Sequence, residues 1–311
     1  MFSYDPELLI TVANLYYMEY LTQKEIADKL GISRIAVTRL LKRARESGMV
    51  QITVKQPLPE LYALALQLER RLDLRTVRLA ETASTEDETL RSMGKAGAEL
   101  LLSLISPTKR IGAAWSRTVS AILPFIRRPT KPPLCINELA GTYLKPSIPF
   151  GVSWGLAERL AAPLETIPAP VLVSSVEIKN SILSERSIAD AIEHAASVNI
   201  AFVGLGTIGE GSSLSKAGFI HQGEIDELKA KGAVGDILMR YYDRDGNHIP
   251  MSFDDRVIAI DWKSIRSIPM VIAMAFGENK VEIIRAAAKG GIIKGLVTDR
   301  ATASILLEEL D

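Results

Sequence analysis

The chain has 311 residues, and its 37 Lys and Arg balance 37 Asp and Glu for a formal charge of zero. That length favours two domains with a sizeable core, and 47% hydrophobic against 24% charged residues excludes a disordered chain or a polycation. Any affinity for nucleic acid must therefore come from a local basic patch. The single Cys135, in the apolar run LCINELAG, excludes an intrachain disulfide framework and reads as a core thiol. No stretch has the pattern of a membrane-spanning helix, and MFSYDPELL lacks that of a signal peptide, so the expectation is a cytoplasmic protein with no membrane partner.

Asp5-Pro6 opens a first helix through LLITVANLYYMEY, with Asp as cap and Pro at the first helical position. Thr22-Gln-Lys-Glu25 is a capping box ahead of the apolar Ile26 and Leu30. Ala27 is small where two helices would cross, and Gly31 stands where a turn needs positive φ. Ser33 can cap a further helix whose Val37, Leu40, Leu41 and Ala44 form one apolar stripe. Its other face carries Arg34, Thr38, Arg39, Lys42, Arg43 and Arg45, with no acid before Glu46.

This is the spacing of a helix-turn-helix, and a helix with one apolar and one basic side can lie in a major groove. Thr22, Gln23, Ser33, Arg34, Ile35, Thr38, Arg39, Lys42 and Arg43 are the candidate DNA contacts. A merely solvated helix pair would share the charge but has no need of capping box, small residue and turn glycine at these relative positions. Met49 to Val54 then reads as a short strand, the wing of a winged helix, and Pro57 and Pro59 put the domain boundary after residue 56.

The second predicted domain, 57–311, starts with a linking helix over 57–74. Strands and helices then alternate. The strand candidates are TVRLAE, RIGAAW, LCINELAG, VNIAFVGLG, VIAIDW, MVIAMAFG and IIKGLVT; helices are expected from about Glu86 to Ile105, over SRTVSAILPFI, over VEIIRAAAKG and over ATASILLEEL. Apolar strands separated by helical patterns indicate an α/β fold, a Rossmann-like parallel sheet covered on both faces.

Several motifs suggest catalysis but lack its context. Gly204-Leu-Gly206-Thr-Ile-Gly209 matches a dinucleotide fingerprint, yet EGSSLSKAGF after it is no helix that could receive a pyrophosphate. Gly151-Val-Ser153-Trp-Gly155 matches a nucleophile elbow, but KPSIPF is a poor strand and GVSWGLAERLAA reads more simply as a helix start. Gly94-Lys95 is no P-loop, since Thr89 stands where the earlier glycine belongs. His194, His221 and His248 are widely spaced with no Cys pair, so neither a metal site nor a cofactor is expected.

Two strand-to-helix junctions suit an anion or polar ligand. After RIGAAW, Ser116-Arg117-Thr118 opens a helix, and after MVIAMAF the run Gly277-Glu-Asn-Lys280 opens another. Both would lie at carboxyl ends of strands, where open α/β sheets bind ligands. The plain alternative is that Ser116, Thr118 and Asn279 only cap their helices. Asp236, flanked by glycine in GAVGDI, either accepts hydrogen bonds from a polyol or caps local backbone. Asp243-Arg-Asp245-Gly246 reads as a turn between strands.

With these residues in place the chain resembles the SorC family of sugar-responsive bacterial transcription regulators. The likeness rests on the helix-turn-helix, GLGT at 204–207, GAVGDI at 232–237, GENK at 277–280 and LVTD at 296–299, in that order. It implies an effector domain similar to the pentose-phosphate isomerase and CoA-transferase-like fold, working as a sensor in a homo-oligomer, a dimer or tetramer. By matching motif, Gly112, Ser116, Arg117, Thr118, Gly204, Gly206, Asp236, Lys280 and, less directly, Asp299 would form the effector pocket. Trp115 would narrow it. Some relatives carry a lysine where this chain has Ala140, so a Schiff base there is excluded, with Lys145 only a distant substitute.

The expectation is therefore a regulator of a carbohydrate or polyol operon. It would bind operator DNA and a small sugar, polyol or sugar phosphate. The alternative, a sugar-phosphate isomerase or deaminase-like enzyme fused to a DNA-binding module, needs a placed acid–base pair. Asp236, Glu278 and Lys280 offer none that stands out.

Overall fold

The computed structural model describes residues 6–52, 59–142 and 151–309. Asp5, residues 53–57 of the expected wing and boundary, and Lys145 lie outside them. The chain forms two compact units, Met1–Leu58 and Pro59–Asp311. Among the described residues no helix is long and apolar enough to cross a membrane.

The first unit has three helices, α1 (Pro6–Tyr17), α2 (Gln23–Leu30) and α3 (Arg34–Glu46). The capping box is complete: Thr22 N–H donates to Glu25 Oε2 at 2.8 Å, and Glu25 N–H donates to Thr22 Oγ1 at 3.3 Å. Two orphan donors at the start of α2 are thereby satisfied. Gly31 ends α2 at φ 64°, in the left-handed region, with its N–H on Ala27 O. Ser33 Oγ accepts from Ala36 N at 3.1 Å and starts α3. Leu9, Val12 and Ala13 of α1, Ile26 and Ala27 of α2, and Val37, Leu40, Leu41 and Ala44 of α3 make one core. The first helix stops three residues short of the expectation, and Tyr20 takes φ 56° in the turn that follows. Residues 49–52 form no strand, which leaves the wing without support in the described part.

The second unit opens with α4 (Glu60–Arg71) and is built on seven strands. These are β1 (Thr76–Ala80), β2 (Arg110–Ala113), β3 (Cys135–Glu138), β4 (Leu164–Glu165), β5 (Ile200–Gly204) and, after a separate antiparallel pair β6 (Gly235–Ile237) and β7 (Arg240–Tyr242), β8 (Met270–Met274) and β9 (Gly295–Asp299). The large sheet runs β1-β9-β8-β5-β2-β3-β4 and every pairing in it is parallel. Alternate side chains feed two cores: Ala201, Val203, Val271 and Ala273 enter one, and Ile200, Phe202, Ile272 and Met274 the other. Both faces are covered, which is why these strands are apolar throughout.

Neither edge of the sheet is a long open strand among the described residues. At one, Val77 N–H on β1 donates to Glu69 Oε1 of α4 at 2.8 Å. At the other, β4 has only two residues.

Two expected elements differ. The helix over SRTVSAILPFI is one turn, α6 (Arg117–Ser120), where α5 is the preceding Glu86–Leu104, and Pro124 confines the rest to a 3₁₀ turn. VIAIDW makes only isolated bridges, Val257 to Leu172 and Ala259 to Ala140, and its Trp262 already belongs to a helix. The run is apolar because it is buried, not because it joins the sheet. Gly94 of α5, no P-loop glycine, serves close packing: a Cβ there would lie 2.1 Å from Ala121 O.

Candidate functional site

In the N-terminal unit, the exposed side of α3 presents Arg34, Ile35, Thr38, Arg39, Lys42 and Arg43. Thr38 Oγ1 donates to Gln23 Oε1 at 2.9 Å, which fixes the first residue of α2 against the middle of α3. Among the described residues Arg34 and Arg39 have no ion-pair partner, whereas Lys42 lies 3.6 Å from Glu46. A shallow depression of about 630 Å³ beside α3 is bordered by Tyr16, Tyr20, Thr22, Gln23, Lys24 and Arg34. Thr22 and Ser33 are spent as caps, but Gln23 and the α3 side chains stand together on one surface. The arrangement suits a phosphate backbone beside a groove.

In the second unit the chain leaves β2 for β3 and β4 on one side, and returns through β5 to β8 and β9 on the other. The reversal between β2 and β5 is a topological switch point, where the diverging connections leave a crevice at the strand carboxyl ends. A cavity of about 360 Å³ lies there. The ends of β2 (Trp115 to Thr118), β5 (Gly204 to Thr207) and β8 (Met274 to Phe276) border it, and Asp236, Asn279 and Lys280 close it.

Asp236, buried, and Lys280, half-buried, are its facing charges. Burial pushes the Asp236 carboxyl up to about 6, against the pull of Lys280 and of the Met239 N–H, which Asp236 Oδ2 accepts at 3.2 Å. Burial likewise lowers the Lys280 ammonium, and Asp236 opposes that shift. One Lys280 N–H is committed to Leu205 O, leaving two donors.

The hydroxyls form a relay. Val119 N–H donates to Ser116 Oγ, Ser116 Oγ lies 3.0 Å from Thr118 Oγ1, and Thr118 Oγ1 donates to Met274 O at 2.7 Å. Both hydroxyl hydrogens are used within this chain, so a ligand meets oxygen lone pairs there. Ser116 thus both caps its helix and lines the cavity, whereas Thr118 lines the cavity and caps nothing. Arg117 is held at the rim, 2.7 Å from Glu86 and 3.5 Å from Asp87.

Two residues expected in the pocket do not border it. Gly112 lies inside β2, where a Cβ would stand 2.5 Å from Leu139 Cδ2. Asp299 ends β9 and caps the helix Arg300–Glu308, accepting from Thr302 N at 3.2 Å and from Thr82 Oγ1 at 2.6 Å. Ser212, Ser213, Leu214 and Leu238 border the cavity without having been expected.

Leu238 and Met239 are the two loop residues of the β6–β7 hairpin, with φ 53° and 62°. Such loops normally take Asn-Gly, and a non-glycine residue there costs roughly 1–2 kcal/mol. The Asp236 carboxylate helps to hold the loop through Met239 N–H. Nothing in the composition of DILMRYY marks a turn, so only the pairing reveals it.

Apparent catalytic motifs find other uses. Ser153 is buried within the helix Val152–Leu160 and reaches Ala113 O at 3.4 Å. After GLGTIG only the single turn Ser213–Lys216 follows. The Cys135 thiol is pushed up by burial, the opposite of an activated nucleophile.

These two units, a helix-turn-helix and an α/β domain with a polar cavity at its switch point, define a ligand-controlled transcription regulator. Residues 56–308 match the family model described as "Putative sugar-binding domain", and residues 11–47 match "Sigma-70, region 4". The sorbitol operon regulator of Klebsiella pneumoniae is 31% identical over 98% of this chain and 99% of its own. The transcriptional regulator LsrR of Escherichia coli O139:H28 is 31% identical over 97% of this chain and 95% of its own. The crystal structure of full-length SorC from K. pneumoniae superposes with a TM-score of 0.75 at 30% identity, covering 98% of this chain and 100% of that one. The chain belongs to the SorC family of transcription regulators with a sugar-binding domain. It is a regulator and not an isomerase or deaminase fused to a DNA-binding module.

Proposed function

We propose that α3 enters the major groove of an operator duplex, with Arg34 and Arg39 at base edges and Gln23, Lys42 and Arg43 at phosphates. The cavity at the β2/β5 switch point binds a small sugar, polyol or sugar phosphate in a cytoplasmic homo-oligomer, dimer or tetramer. Asp236 and the Ser116–Thr118 relay accept from ligand hydroxyls, while Lys280 donates to a ligand oxygen. Binding shifts the balance between arrangements of the DNA-binding units, for which a differential of a few kcal/mol is enough.

The observation that carries this reading is a buried carboxylate and a half-buried ammonium lining one cavity, polar groups that a purely structural cleft has no need to place there. A thermal-shift screen against sugars, polyols and their phosphates should yield one stabilising class. Asp236→Ala and Lys280→Ala should lose that stabilisation while still binding DNA. A variant that keeps the response at the same ligand concentration would sink the pocket assignment.

A further inference from the structure

Ile35 is the one large apolar side chain on the exposed side of α3, 66% exposed. Its neighbours at helical spacing are Thr38, Arg39 and Lys42, and Arg34 precedes it. The core of the unit is complete without it, since Val37, Leu40, Leu41 and Ala44 supply the buried stripe of α3. A solvated position in the first turn of a helix favours a polar or straight-chain residue, and a β-branched apolar one gains nothing there in helix propensity. Ile35 therefore has no structural reason within the unit.

Its setting indicates what covers it. The cations around it match a polyanion, and first-turn residues of such a helix are those that meet base edges. A major groove offers a single apolar group on its floor, the 5-methyl of thymine. Thr38 is tied to Gln23, so its methyl is not free to rotate into that role. We infer that Ile35 is a specificity-determining residue that packs on a thymine 5-methyl group in each half-site. The inference rests on the proposed DNA-reading role of α3.

The test uses the full chain and duplexes that it enriches from a random library. In a recovered duplex each dT is replaced singly by dU, which lacks only the methyl. Burying one methyl corresponds to about a fourfold change in affinity. Substitution at one position per half-site should weaken binding by about that factor, and Ile35→Ala should bind the dT and dU duplexes equally. Ile35 is exposed, so the variant should unfold at the wild-type temperature. Absence of any position sensitive to dU, or an Ile35→Ala protein that keeps the penalty, would overturn the methyl contact while leaving α3 as the DNA-binding helix. Failure to enrich any duplex would remove both.

Discussion

The Asp236 carboxylate fills the space that a side chain at Gly206 would need: a Cβ there would lie 1.7 Å from Asp236 Oδ1. The two residues also exchange backbone hydrogen bonds, Gly206 N to Asp236 O at 2.8 Å and Asp236 N to Gly206 O at 3.2 Å. The loop after β5 and the strand β6 are thus locked together at the cavity wall. Gly206→Ala must expel the carboxylate. The effector should then stabilise the protein at least about tenfold less effectively, read as a shifted ligand titration, with DNA affinity retained. An unshifted titration would show that Asp236 does not meet the ligand.

Asp236 also predicts a pH dependence. Its folded-state value of about 6 lies above the ordinary 3.8, so between these two limits the folded chain holds the proton more tightly than the unfolded one. Stability from this group is present below about 4 and is lost as pH rises through 6, by roughly 3 kcal/mol at most. A ligand hydroxyl donating to the carboxylate favours its ionised form. Effector affinity should therefore rise from pH 5 to 7 and level off above, and Asp236→Asn should flatten the profile. Calorimetric titration across that range reads both.

The small N-terminal core allows little loss. Leu40 is 1% exposed within the core that the three helices form, so Leu40→Ala should cost about 2–5 kcal/mol. Thr22→Ala removes the side-chain half of the capping box and should cost about 1 kcal/mol. Denaturant titration followed by helical circular dichroism would show each as an earlier transition of this unit.

On the DNA side, Arg34→Ala or Arg39→Ala should weaken operator binding by about 1–3 kcal/mol if the arginine reads a base. Lys42→Ala should instead weaken all sequences alike and reduce the slope of affinity against salt by about one. Filter-binding titrations at several salt concentrations separate the two behaviours.

The helix-turn-helix was legible because its signals are local: capping box, turn glycine and apolar stripe all act within one or two helical turns. The parallel sheet was legible from apolar runs, and VIAIDW shows the limit of that rule. An apolar run reports burial, while strand pairing depends on neighbours remote in sequence. Asp299 shows another limit. An acid between a strand and a helix looks the same whether it meets a ligand or caps the helix, and here Thr302 and Thr82 occupy it. The Leu238–Met239 turn carries no turn residue, because long-range contacts rather than local preference hold it.

The interrupted edges of the large sheet have a bearing on assembly. With Glu69 taking the Val77 N–H in the middle of one edge and β4 reduced to two residues at the other, the described edges offer another strand a broken or short ladder. Extending one sheet into the next is thereby disfavoured as a way for copies of this chain to join. Association through side chains of helices and loops is favoured instead, and a contact of that kind can rearrange when a ligand arrives, where a shared ladder of peptide bonds would hold fast.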